Sequence, residues 1–224
     1  GAEALLRWRH PRHGVLAPEA FLPLADDTGL LVEVGGWILR EACIQGRRWI
    51  EAGIHPFSMV VNMSARQLRS GGLAGQVRDA LKASGLPAGS LLIEVPETSV
   101  RQLSEPIGQA LAEITASGAR LSVDDFGTGY ASLPMLQRLR ASAVCIDRSL
   151  IAGVPHDSER AGLARALIVL ARGLEFEVVA KGVETQAQRD FLIEAGCRIC
   201  QGELFAPARA AEEVEPFLRS RRAA

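Results

Sequence analysis

Two adjacent carboxylates, Asp124 and Asp125, end the short apolar run Leu121-Ser122-Val123, and Phe126-Gly127-Thr128-Gly129 follows at once. Placed side by side in a buried setting, two aspartates repel each other and lose hydration unless a positive charge faces them. A metal ion, a basic side chain or the N-terminus of the next helix can each relieve this. On this stretch alone, helix capping and metal binding explain the residues equally well.

Other polar side chains interrupt apolar runs in a similar way. Asn62, Glu94, Asp147, Lys181, Glu184 and Gln201 each fall at or just past the end of such a run. A cap need face only its own helix, so capping explains one such residue better than a converging set of them. The set is acidic and rich in oxygen donors, which suits magnesium, manganese or calcium rather than zinc. A carboxylate shared by two cations roughly 3.5–4 Å apart is the usual device for displacement at phosphorus. Asp124 beside Asp125 could bridge such a pair. Arg7 could donate bidentately to a phosphate, with a structural ion pair as the alternative. No histidine lies at a strand end, so serine or cysteine nucleophilic catalysis lacks its base.

The elements that must position these groups alternate. Strands are expected over residues 2–8, 58–64, 91–94, 121–125, 143–147, 177–181 and 198–202. In the first, period two puts Glu3 and Arg7 on one side. Helices are expected after Pro18 and over 30–52, 72–84, 105–117, 131–139, 158–173, 185–195 and 210–219, several stopped by glycine. In the helix over 158–173, Leu163, Leu167, Leu170 and Ala171 are expected to face inward. Alternating strands and helices require a parallel sheet, open or closed. About seven strands in 224 residues favour a (β/α)8-type barrel, whose functional groups gather at the C-terminal strand ends.

Composition sets further bounds. Hydrophobic residues make up 48% of the chain and charged residues 23%, as in ordinary globular proteins. A formal net charge of -1 gives no electrostatic case for duplex nucleic acid or an anionic membrane surface. No apolar run approaches the roughly 20 residues of a membrane span, and no stretch reads as a signal peptide. Of the four cysteines, Cys197 and Cys200 form the one Cys-x-x-Cys, without the second pair or nearby histidine that zinc would need. They are expected to be small buried residues, and a reducing cytoplasm fits them.

Six separate motifs in order then suggest a family. Glu3-Ala4-Leu5-Leu6-Arg7-Trp8, Val61-Asn62-Met63-Ser64, Asp124-Asp125-Phe126-Gly127-Thr128-Gly129, Ile146-Asp147-Arg148-Ser149, Gly182-Val183-Glu184-Thr185 and Gln201-Gly202 together resemble the EAL domain. The resemblance covers essentially residues 1–224. It implies a modified (β/α)8 TIM-type barrel, here lacking its N-terminal first strand. It also implies a bacterial signalling domain acting on cyclic di-GMP, which active members hydrolyse to pGpG with magnesium or manganese. By position, Glu3, Asn62, Glu94 and Asp124 resemble ligands of one ion, and Asp124 and Asp125 ligands of a second. Leu6, Arg7, Asp147 and Gln201 resemble substrate contacts. Glu97 and Glu184 resemble the pair that steadies the loop after Asp125. The resemblance further implies a cytoplasmic setting, a possible homodimer, and sensor or cyclase-like domains upstream in a longer protein.

Two site positions depart from the family pattern, as does Glu203, where an aromatic usually follows Gln201-Gly202. Cys145 stands where the family has an active-site lysine, and Lys181 where it has a glutamate. A thiol with an ordinary pKa near 8.5 is mostly neutral at pH 7 and cannot replace the cation. Lys181 should stay charged among carboxylates and pair with Asp125 or Asp124, near the second ion's position. Snorkelling to solvent, or taking over the missing lysine's role, are its alternatives. One ion rather than two is then expected, with binding of cyclic di-GMP retained and hydrolysis weak or absent. An active phosphodiesterase and a protein-interaction module that binds no nucleotide are the competing readings.

Overall fold

The computed structural model describes residues 1–101, 104–129, 136 and 138–222. The strands are β1 (Ala2–Ala4), β2 (Trp8–His10), β3 (Gly14–Leu16), β4 (Met59–Asn62), β5 (Leu91–Pro96), β6 (Arg120–Phe126), β7 (Ala143–Ile146), β8 (Glu177–Ala180) and β9 (Ile199–Cys200). The α-helices are α1 (Leu22–Asp27), α2 (Leu30–Glu51), α3 (Ala65–Arg69), α4 (Leu73–Ser84), α5 (Glu97–Arg101), α6 (Glu105–Ala116), α7 (Arg148–Ile151), α8 (Ser158–Gly173), α9 (Gln186–Glu194) and α10 (Ala211–Arg222). Among the described residues, seven strands pair in the order β1-β4-β5-β6-β7-β8-β9, while β2 and β3 form a separate antiparallel ribbon. Parallel strands in that order, joined by helices, are the topology of a (β/α)8-type barrel that lacks a strand. The helix expected over 131–139 lies for the most part outside the described residues.

The chain divides into two compact units. The first comprises residues 1–93, 104–120 and 210–224. Its longest helix, α2, buries Leu31, Gly35, Leu39, Ala42, Cys43, Gly46, Trp49 and Ile50. This is the stripe expected of an amphipathic helix. The helix packs closely at Gly46, where a Cβ would lie 3.3 Å from Leu86 Cδ1 and 3.4 Å from Met59 Cβ. Helix α3 was not expected from periodicity. It starts at a capping box, in which Ser64 Oγ accepts from Gln67 N and Gln67 Oε1 accepts from Ser64 N.

The first strand is shorter than expected. It pairs with β4 only over Ala2–Ala4, and Trp8–His10 turns into the ribbon with β3. Glu3 and Arg7 therefore do not share one strand.

The second unit comprises residues 94–103 and 121–209. Strand β7 is buried along its whole length and pairs in parallel with β6 and β8. Between the aligned pairs Val123–Val144 and Phe126–Ile146, β6 carries a bulge. There Asp125 adopts φ 56°, in the left-handed region that non-glycine residues seldom occupy. Helix α8 buries Ala171 as expected, together with Ala164 and Ile168, while Leu163 and Leu170 are exposed, so the inward face is rotated from the expected one. Among the described residues, no helix is long and apolar enough to cross a membrane.

Candidate functional site

Strand β6 sets Ser122 and Asp124 on one side by alternation, and Ser122 is fully buried. On the neighbouring strand, the Cys145 thiol lies 3.3 Å from Ser122 Oγ. Cys145 Sγ donates to Glu94 Oε1 at 2.9 Å. The other oxygen of Glu94 faces Lys181, whose Nζ donates to Oε2 at 2.7 Å. The same ammonium lies 2.8 Å from Asp124 Oδ1. Lys181 follows directly on β8, where its backbone N–H donates to Ile146 O at 3.1 Å. Four of the residues singled out in the sequence, Glu94, Asp124, Cys145 and Lys181, are thus in one cluster. Ser122 is a member that motif reading missed. A hydroxyl within the apolar run Leu121–Val123, two residues before Asp124, was its only signal.

Electrostatics follow from burial and neighbours. Glu94 is 2% exposed. Its burial raises the carboxyl above its ordinary pKa, Lys181 opposes this, and Asp124 adds to it. Burial and the nearby Glu94 carboxylate push the Cys145 thiol up, so it is a neutral donor. It cannot act as the cation the family pattern has there. Asp125 is pushed up by burial and by the charges of Asp124 and Asp147, and it shares a hydrogen bond with Asp147. Although burial opposes it, Asp147 is lowered by hydrogen bonds at Ser149, Arg148 and Asp125. Asp147 also caps α7, since its Oδ1 accepts from Ser149 N at 2.9 Å. The capping reading weighed for Asp124 and Asp125 holds for Asp147.

Lys181 pairs with Asp124, one of the two aspartates expected to face it, and also with Glu94, which was not expected. The expected pairing with Asp125 or Asp124 is thus met at Asp124, with Glu94 as a second partner. The reason is reach: from the end of β8, Nζ comes within 2.8 Å of both carboxylates.

The remaining expected residues are placed as follows. In the first unit, Glu3 Oε1 accepts from Asn62 Nδ2 at 2.6 Å. Arg7 is exposed, and its Nη1 donates to Leu6 O at 2.8 Å. In the second unit, Glu97 Oε2 accepts from Gly127 N and Gly129 N of the turn after Asp125. Glu184 does not share that role among the described residues. Its side chain is exposed, and its backbone N–H donates to Gln188 Oε1. The Gln201 side chain is exposed, while its backbone bridges Ala180 and Val183.

Glu94, Asp124 and Cys145 offer ligand atoms within 4.8 Å of one another. Asp124 Oδ1 is buried with no hydrogen-bond donor aligned on it, although the ammonium is close enough for an ion pair. Such a donor set suits a cation. A divalent ion chelated through Glu94 Oε2 and Asp124 Oδ1 would have to displace the Lys181 ammonium, which already lies within 2.8 Å of both.

A parallel barrel-type fold with carboxylates at its strand ends defines the class, and the sequence comparison gives the family. Residues 1–208 match the EAL domain, and the chain belongs to that family. It is 44% identical over 214 residues to the bifunctional diguanylate cyclase/cyclic di-GMP phosphodiesterase MucR of Pseudomonas aeruginosa, covering 96% of this chain and 31% of the relative. It is 40% identical over 220 residues to the cyclic di-GMP phosphodiesterase NbdA of the same species, covering 98% of this chain and 28% of that protein. The chain thus spans about a third of the length of these relatives. The solved structure of the PaMucR phosphodiesterase in complex with c-di-GMP superposes with a TM-score of 0.91, covering 96% of this chain and 87% of that one.

Proposed function

We propose that this chain is a cyclic di-GMP-binding EAL domain with weak or no hydrolysis of the ligand. One observation carries the reading: a single ammonium, Lys181 Nζ, lies between Glu94 and Asp124, while the neighbouring Cys145 is a neutral thiol. In-line displacement at phosphorus needs a water made nucleophilic and a cation on the phosphoryl oxygens. The Cys145 S–H donates to Glu94 and is not a base. Lys181 Nζ donates to Glu94 and stands as an ion pair with Asp124, and burial and the neighbouring charges raise the Asp125 carboxyl above its ordinary range. Neither the Cys145 thiol nor the Lys181 ammonium is a base that would activate water. Loss of one well-placed catalytic group commonly costs ~10²–10⁴ in rate.

Binding itself asks less. In this proposal Arg7, Leu6, Asp147 and Gln201 contact the dinucleotide, as the family positions imply, and Glu97 steadies the adjacent turn. The domain would work within a longer cytoplasmic signalling protein that carries sensor or cyclase-like domains, as a homodimer.

The test is incubation of the purified chain with cyclic di-GMP and manganese or magnesium, beside calorimetry with the same nucleotide. Heat of binding with little pGpG is the expected result. Rapid, complete conversion to pGpG would establish the second reading, an active phosphodiesterase, which the 44% identity to MucR favours. No heat under any condition would leave a protein-interaction module.

A further inference from the structure

We propose that the Lys181 ammonium is a built-in replacement for a divalent cation, so that this acidic cluster is held together, and takes its ligand, without metal. The second clause rests on the binding reading above; the first stands on the cluster alone.

The arrangement is that of a chelated cation. Oxygens from carboxylates on two strands, Glu94 on β5 and Asp124 on β6, converge on one nitrogen at 2.7 and 2.8 Å. The three side chains are shielded: Lys181 is 17% exposed, Glu94 3% and Asp124 18%. Shielding strengthens their attraction, and it makes the carboxylates costly to leave without a positive charge. The oxygens of Glu94 are shared out, with Oε1 taking the Cys145 thiol and Oε2 taking the ammonium. The cation's tether is fixed as well, because the backbone N–H of Lys181 is bonded to Ile146 O.

Physical chemistry separates what the ammonium can do from what a divalent ion does. A single charge offset by two carboxylates leaves the set at -1, enough to hold the strand ends. It has no open coordination position, so it neither binds a phosphoryl oxygen as a Lewis acid nor acidifies a bound water. A tethered cation is also present at a high local concentration that no chelator removes, and an incoming ion must first displace it. The substitution at position 181 therefore exchanges a metal requirement for a permanent charge.

The test compares the wild-type chain with Lys181→Met and Lys181→Glu. Free manganese is followed by electron paramagnetic resonance, and melting is measured in EDTA and in manganese. Wild type should bind manganese at least about tenfold more weakly than either variant, since like charges repel across the same oxygens. Its melting temperature should be the same in both buffers. Each variant should melt lower than wild type in EDTA and be raised by manganese through ligand-linked stabilisation. Manganese binding to wild type as tight as to Lys181→Met would overturn the proposal, and so would a fall in wild-type melting on adding EDTA. If neither variant folds, the wild-type titration decides: a tight manganese site in the wild-type chain overturns the proposal, and its absence sustains it. In a calorimetric arm, the affinity for cyclic di-GMP should agree within about threefold between EDTA and magnesium. Binding that vanishes in EDTA would overturn the metal-free site. No binding in either buffer would overturn the proposed function instead, with the manganese result judging the built-in cation separately.

Discussion

Glu97 and Gly129 are joined by a hydrogen bond of 3.0 Å, from the glycine N–H to Oε2 of a nearly fully buried carboxylate. The same oxygen takes Gly127 N at 3.2 Å. One acceptor thus fixes both glycines of the turn that follows Asp124 and Asp125. Glu97→Ala should cost about 2–3 kcal/mol, the range of hydrogen bonds to a charged group plus the donors left unpaired. Glu97→Gln, which keeps an acceptor, should cost less. Urea denaturation measures both, and a loss below about 0.5 kcal/mol for the alanine variant would show that other contacts hold the turn.

Gly127 should resist substitution independently of Glu97. It adopts φ 97°, and an added Cβ would lie 2.6 Å from Leu167 Cδ1 and 2.8 Å from Leu150 Cδ1. Gly127→Ala is expected to destabilise by about 1–3 kcal/mol through backbone strain, with side-chain displacement added. Denaturation curves equal to wild type would refute this.

The four thiols should differ sharply in reactivity. Cys200 is half-buried, and its thiolate is favoured by a hydrogen bond from Cys197 and by the charge of Arg189. Its alkylation should rise with pH at lower pH than that of an ordinary thiol, because the thiolate is the nucleophile. Cys197→Ala removes the donor and should move the profile to higher pH. Cys145 stays protonated and buried, and should not be alkylated until the chain unfolds. Iodoacetamide labelling from about pH 6 to 9, read by mass spectrometry, tests this across the thiol range. Native-state labelling of Cys145 as fast as Cys200 would contradict the burial argument.

The double exchange Cys145→Lys with Lys181→Glu restores the charges of the family pattern. It should raise pGpG formation in manganese by about 10²-fold or more, the scale of one catalytic group. Either exchange alone should give less, since the two act on the same water. A double variant as slow as wild type would place the defect elsewhere.

The N-terminus of α8 offers a stability control remote from the cluster. Asp157 Oδ1 accepts from Glu159 N at 3.0 Å and Arg160 N at 3.1 Å. Asp157→Ala should cost about 1 kcal/mol by thermal or urea melting, as for other lost caps. It should leave nucleotide affinity unchanged.

The order of elements was legible because apolar strand runs end in polar residues and glycines stop the helices. Phase was harder to read. In α8 the expected face included Ala171, which is buried, but Leu163-Leu167-Leu170 and Ala164-Ile168-Ala171 have the same spacing, so periodicity accepts both. The structure buries the set with the smaller residues. At the N-terminus, alternation continues through Arg7, but it cannot distinguish one strand from a strand that breaks into an antiparallel ribbon. The short helices α3 and α7 left no periodic signal, and only their caps, Ser64 and Asp147, announce them.

The site was legible as a set of residue types but not as a set of partners. Strand ends told which side chains could meet. They could not tell that Lys181, at the end of β8, would reach Glu94 as well as Asp124, since that depends on side-chain length and strand spacing. Glu184 shows the opposite limit. Its motif is intact, yet its side chain is exposed and bonded to none of the described residues of the turn it was expected to steady.

The bulge in β6 sets a rule of length. Between matched pairs, β6 advances from Val123 to Phe126 while β7 advances only from Val144 to Ile146. One residue is surplus, and the left-handed Asp125 marks where the chain absorbs it. Removing a residue there would give a regular ladder, in which Val123 and Phe126 would share one face and the retained aspartate would take the other. Anyone grafting this acidic corner onto another strand pair must carry the surplus residue with it, because the number of residues is as much a part of the design as their kind.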